Sequence, residues 1–199
     1  MTEPSTSDSR DPYSISTVRL DDDRYEIKQP AIRNKYIVRD SAGEVVLRGK
    51  QKMLKMKEEF PFLTGDGADA FTVKAGGIMD VAGNYTLTDA GTGEDVVVLD
   101  EEFSLLSETW RIRDPDSGRV LATIRSKNKL LSALRHLVEA ANLVPNKYEV
   151  VDPDENHVGD IDGQFSLRDI YTASTDDATT IPKEVMIATA CVLDALENK

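Results

Sequence analysis

Lysines at positions 50, 52, 55 and 57 stand among Met53, Leu54 and Met56, and Arg125, Lys127 and Lys129 directly precede Leu130 and Leu131. Ammonium and guanidinium groups attract anions, while their aliphatic stems and the neighbouring Met and Leu side chains reach apolar surface. These clusters therefore fit contact with an anion or a lipid headgroup. The plainer reading of the same cations is ion pairing with Glu58, Glu59, Glu101 and Glu102 on neighbouring hairpins.

Other chemistry finds little support. Metal binding needs converging ligands, and the two histidines are His136 and His157. His157 lies among Asp152, Asp154, Glu155 and Asp160, a set that lacks the glycine and bidentate glutamate of a calcium loop, so a solvated acidic turn is the expectation. Gly65, Gly67, Gly76, Gly77, Gly91 and Gly93 have no following helix with Lys-Ser/Thr and read as turns, not a phosphate loop. Ser104, Ser107 and Ser132 lack elbow glycines. Cys191 sits between Ala188 and Ala195 as an inert buried thiol, unable to form an internal disulfide. Asp194, in the last turns of an apolar segment, needs a hydrogen-bond donor or a raised pKa. No acid and base converge, so no enzyme, cofactor or metal is expected.

Positioning these groups falls to a chain of 199 residues with 24 Lys plus Arg against 36 Asp plus Glu, a formal charge of -12. That length suits one domain, and 40% hydrophobic residues supply a core. The acid is spread along the chain and repels nucleic-acid phosphates, so no nucleic-acid partner is expected. It also fits a halophilic protein, although twelve lysines exceed the most extreme salt-adapted surfaces. Residues 1–12 read as a disordered acidic leader without signal-peptide character, and no apolar run reaches the length of a spanning helix. The expected location is the cytoplasm, with peripheral membrane association open.

Residues 13–199 read as hairpins in series. An aromatic residue opens a strand that closes on Asp, a turn follows, and an aliphatic strand returns. Tyr36 to Asp40 turns through Gly43 into Val45-Val46-Leu47, and Tyr85 to Asp89 turns through Gly91 and Gly93 into Val96 to Leu99. Trp110 to Asp114 turns through Gly118 into Val120 to Ile124, and Tyr148 to Asp152 turns through Pro153 to Asn156 into Val158 to Ile161. Such a series points to a closed or nearly closed antiparallel barrel, with a sandwich as the alternative. Two segments differ. Asn128 to Asn142 carries Leu130, Leu131, Leu134, Leu137, Val138 and Ala141 at helical spacing, with His136 on its polar face. Pro182 to Leu196 opens with a proline suited to a first helical turn and then shows almost no polar face. Fifteen helical residues reach about 22 Å, short of a bilayer, so this helix must be buried in protein.

The chain from about Tyr25 to Leu196 resembles the LURP-one-related proteins, a family with the fold of the tubby C-terminal domain and the phospholipid scramblases. The resemblance rests on the ordered Y-x-x-x-D-x-x-G hairpins, on YEVVDPDENHVGDI at 148–161, on QFSLRDIYT at 164–172 and on MIATACVLDAL at 186–196. It implies a mainly β fold: a closed antiparallel barrel of about 12 strands around a central C-terminal helix at 182–197. It also implies a non-enzymatic binding module for phospholipid headgroups or another anionic ligand, for which the basic clusters of Lys50, Lys52, Lys55, Lys57, Arg125, Lys127 and Lys129 are the candidate contacts on their charge alone. The alternatives are a scaffold whose protein partner binds the helix near 130–141, and a scramblase-like membrane-associated protein.

Overall fold

A computed structural model of the chain describes residues 13–29, 35–50, 59–76, 84–102, 109–127, 147–164, 169–176 and 181–197, without the side chains of Lys50, Gln164, Asp169 and residues 194–197. Twelve strands form the wall: β1 (Arg24–Gln29), β2 (Lys35–Arg39), β3 (Val45–Lys50), β4 (Glu59–Thr64), β5 (Asp69–Ala75) and β6 (Asn84–Asp89), then β7 (Asp95–Glu102), β8 (Thr109–Arg113), β9 (Val120–Ser126), β10 (Lys147–Val151), β11 (His157–Gln164) and β12 (Asp169–Thr175). Each strand pairs antiparallel with its neighbours in sequence, and β1 pairs with β12 from Arg24 opposite Ser174 to Gln29 opposite Asp169. The sheet is thus a closed barrel, and the sandwich alternative falls. The helix α1 runs from Lys183 to Glu197. The helix expected over Asn128–Asn142, with His136, lies outside the described residues.

Alternation builds the wall. Tyr25 and Ile27, Tyr36 and Val38, Phe60 and Phe62, Phe71 and Val73, Tyr85 and Leu87, Trp110 and Ile112, and Tyr148 and Val150 are all buried, each pair two residues apart on one strand face. Phe62 and Phe71 stack with centroids 4.4 Å apart. The next residue of that series, four after the first aromatic, ends the strand and organises the turn. Asp40, Asp89, Asp114 and Asp152 donate their own N–H to Glu44, Glu94, Arg119 and Asn156 carbonyls at 3.1, 2.9, 2.9 and 2.9 Å. Their carboxylates accept turn N–H groups, from Glu44 at 2.8 Å, Gly91 at 3.0 Å, Ser117 at 2.7 Å and Asn156 at 2.8 Å. Thr64 does the same between β4 and β5, donating its N–H to Ala68 at 2.8 Å and accepting the Ala68 N–H on Oγ1 at 3.0 Å. Each of these five hairpins also shifts register just before its turn. Such bulges add the local twist that curves a sheet towards closure.

From Val185 to Leu193 every residue of α1 is at most 6% exposed. A helix buried on all sides inside a closed wall occupies the lumen, which needs more girth than an eight-stranded barrel offers. Thr189 is tolerated there because its hydroxyl donates to the Val185 carbonyl at 2.8 Å. The wall accommodates the helix through Gly159: a Cβ added there would lie 2.4 Å from the Ser174 carbonyl oxygen and 3.0 Å from the Met186 methyl.

The segment before β1 crosses the end of the barrel where the five turns lie. Ser16 donates its N–H to Asp89 at 3.0 Å, Tyr13 its hydroxyl to Asp114 at 2.7 Å, and Thr17 its hydroxyl to the Ala70 carbonyl at 3.3 Å. Ser41 then donates to Asp22 through N–H and hydroxyl at 2.7 and 2.6 Å. Ile15 and Leu20 are buried beneath this strap as part of the core.

Two stability predictions follow from these contacts. Gly159→Ala meets backbone oxygen as well as Met186 and is expected to destabilise the protein by about 1–3 kcal/mol in chemical denaturation, the usual range for an overpacked core position. Hydrogen bonds led by Ser41, Thr64, Ser117 and Asn156 hold the carboxyls of Asp22, Asp66, Asp114 and Asp152 below their ordinary values. A depressed carboxyl contributes stability above its unfolded pKa near 3.8 and loses it as pH falls towards the folded value. Thermal midpoints should therefore drop below about pH 4, and Asp114→Ala and Asp152→Ala should each make that acid limb shallower.

Candidate functional site

The antiparallel order gives the barrel two unlike ends. The five ordered turns cluster at one. At the other, odd-numbered strands end and even-numbered strands begin, and there Lys35, Lys50, Lys127 and Lys147 stand at strand termini. Lys35 of β2 lies directly opposite Lys50 of β3, and the Lys127 N–H donates to the Lys147 carbonyl at 2.7 Å. The two basic stretches thus reach one rim, but on separate arcs. Passing from β2 to β10, the wall inserts β1, β12 and β11. Lys52, Lys55, Lys57 and Lys129 lie outside the described residues.

Arg125 and Lys127 are already engaged. Arg125 donates both terminal nitrogens to the Glu155 carboxylate at 2.6 and 2.6 Å. This two-pronged contact draws the guanidinium towards the β10–β11 turn and holds the Glu155 carboxyl below its ordinary value. Lys127 sits 2.7 Å from Asp160 on β11 and 4.0 Å from Asp162. Burial works against the Lys127 ammonium, yet the Asp160 hydrogen bond and the surrounding carboxylates still raise its pKa. Other cations are paired likewise: Lys28 with Glu26 at 2.7 Å, Lys74 with Glu59 at 2.9 Å and Arg111 with Glu102 at 2.7 Å. Lys35 and Lys147, by contrast, are exposed and form no ion pair among the described residues.

The acidic turn resolves in the same way. Asp152 folds onto Asp154 and Asn156, Glu155 takes Arg125, and Asp160 takes Lys127. Among the described residues no group of three His, Cys, Asp or Glu side chains is placed to hold a metal ion. Cys191 is buried, as its neighbours implied. The side chain of Asp194 is not described. No helix among the described residues is long and apolar enough to cross a membrane.

Three features escaped the sequence. Lys35 and Lys147 belong to no basic run in the sequence, and only strand pairing sets one against Lys50 and the other beside Lys127. The Phe60–Thr64 hairpin keeps the spacing of aromatic to turn residue but replaces Asp by Thr. The partners of Arg125 and Lys127 lie on another hairpin.

A closed wall of twelve antiparallel strands around one buried helix defines the tubby-like class of barrel. Within that class the chain belongs to the LURP-one-related family, which it matches over residues 45–144, from the start of β3 to just before β10. A crystal structure of an Arabidopsis thaliana protein shares the fold, with a TM-score of 0.55 over 88% of this chain and 92% of that one at 9% identity. No curated protein matches the sequence.

Since both partners of the Arg125–Glu155 pair touch water, its coupling should be small. A double-mutant cycle with Arg125→Ala and Glu155→Ala is expected to give no more than about 1 kcal/mol, shrinking further in molar salt.

Proposed function

We propose that this protein is a non-catalytic binding module that takes an anionic ligand, of the phosphate-bearing headgroup kind, at the rim where Lys35 faces Lys50 and the chain continues through Lys52, Lys55 and Lys57. One observation carries the reading. Two lysines in direct cross-strand register repel each other, an arrangement that costs stability unless an anion offsets it. Elsewhere on the described wall Lys28, Lys74 and Lys127 are each paired with an acid. Lys35 has no ion pair among the described residues and is open to solvent. Arg125 and Lys127, being neutralised within the fold, are assigned a structural part here.

Phosphorus-bearing headgroups fit such a cluster because several ammonium groups around one polyanion gain from each other's presence, and in the sequence the lysines alternate with the apolar Met53, Leu54 and Met56. The test is binding of the purified chain to vesicles of neutral phospholipid, to vesicles containing anionic phospholipid, and to inorganic phosphate and inositol phosphates, at low and molar salt. Saturable binding to an anionic probe is expected. Replacing Lys50, Lys52, Lys55 and Lys57 together by Ala should weaken it by about a hundredfold or more, given about 1 kcal/mol per lysine at an anionic surface. Lys127→Ala should leave it nearly unchanged. Binding that survives the fourfold variant would move the site elsewhere, and no binding to any anion at low salt would sink the reading.

A further inference from the structure

His157 opens β11, and both its ring nitrogens meet carboxylates: Nδ1 lies 2.7 Å from Asp176 Oδ2 and Nε2 lies 2.9 Å from Asp160 Oδ1. Ionised carboxylates only accept hydrogen bonds. A neutral imidazole has one N–H to give and would turn a lone pair towards the second carboxylate; the imidazolium satisfies both. The contacts therefore call for a doubly protonated ring.

The two carboxylates sit at unlike places in the chain. Asp160 lies on the same strand, is opposite Ser174 of β12 and Glu149 of β10, and shares its Oδ1 with Lys127, which directly follows β9. Asp176 immediately follows β12, where the wall ends and the chain leaves for α1, and its N–H donates to the Val158 carbonyl at 3.0 Å. We infer that His157 is a pH-sensitive clasp: as imidazolium it ties the departing end of β12 to β11, and on losing a proton it lets that end loosen.

The surrounding charges favour the protonated ring. Hydrogen bonds donated by the ring to Asp160, and next to Asp176, raise the His157 pKa above its ordinary 6.5. The cation facing the group, Lys127, competes for Asp160 from the β9 side but makes no contact with Asp176. Of the nearby acids, Glu155 is taken by Arg125, and Asp23, whose carbonyl accepts the Thr175 N–H, is taken by Lys183 at 2.8 Å. On β10 the residue opposite His157 is Val151, which brings no charge. Since the raised pKa belongs to the folded state, the clasp contributes fully below pH 6.5 and its contribution disappears as pH rises through the folded pKa.

The experiment follows the two histidine rings of the full chain by proton NMR, with His136→Gln to assign them. His157 is expected to titrate above 6.5, and Asp176→Asn should lower its midpoint. Exchange protection of the Asp176 amide should fall by several-fold, beyond the intrinsic pH dependence, as the ring deprotonates. In His157→Gln that extra fall should be absent. A ring that titrates at or below 6.5, a midpoint indifferent to Asp176→Asn, or protection that ignores ring charge in the unsubstituted chain would each overturn the clasp. If Asp176→Asn fails to fold, Asp176→Ser supplies the same comparison.

Discussion

The apolar helix from Val185 to Leu193 governs this architecture. With no polar face, it has no orientation in which one side meets water, so the protein must surround it completely. An open sheet covers one side of a helix and a two-layer arrangement covers part of it; only a closed wall covers all of it. Closure in turn requires that β1 find β12, the pairing of longest sequence separation in the sheet. Small residues make the fit possible, with Gly159 on the wall and Ala188, Ala190 and Cys191 on the helix. The strap from Tyr13 to Asp23 belongs to the same constraint, since Ile15 and Leu20 cover apolar surface at the turn end of the barrel.

Closure also sorts the charges. At the turn end, strands leave the wall with an inward-series residue at the rim, where it can fold back onto its own turn. An acceptor is useful there, which is why Asp recurs at positions 40, 89, 114 and 152. These four carboxylates are thus committed to backbone geometry. The opposite rim has no such demand, and its described strand termini include Lys35, Lys50, Lys127 and Lys147. The same rim also carries Glu59, Glu102 and Asp169 at strand ends, so a net charge of -12 says little about where on it cations gather.

The hairpins and the helix were legible in the sequence because their signals are local. An aromatic and an aliphatic residue two apart, an acceptor four on, and a glycine or proline beyond mark a turn within about ten residues. The Phe60–Thr64 unit stayed hidden because Thr is a weaker turn signal than Asp and Pro61 interrupts the strand pattern. The bulges left no trace, since inserting one residue beside a turn preserves the alternation on either side. The site was less legible than the fold. Arg125 and Lys127 read as a basic patch because their neighbours in sequence are basic, whereas their neighbours in space are Glu155 and Asp160. Ion pairing across strands depends on register, and register is set by the turns and bulges rather than by the charges themselves.

A filled lumen constrains any account of function. Barrels that carry small molecules keep an interior cavity, but here the interior belongs to α1, and Met186, Ile187, Ala188, Ala190 and Cys191 are each at most 2% exposed. A ligand that entered would have to displace a helix whose apolar side chains have nowhere else to go. Recognition must then occur on the outer wall, the strap or a rim. On the described wall several bases are neutralised by an acid close by, which leaves those cations little pull on an anionic partner. Like charges meet in the described register at Lys35–Lys50 and at Glu149–Asp160; the two acids have Arg125 and Lys127 beside them, whereas Lys35 forms no ion pair among the described residues, and the proposed rim site rests on that difference.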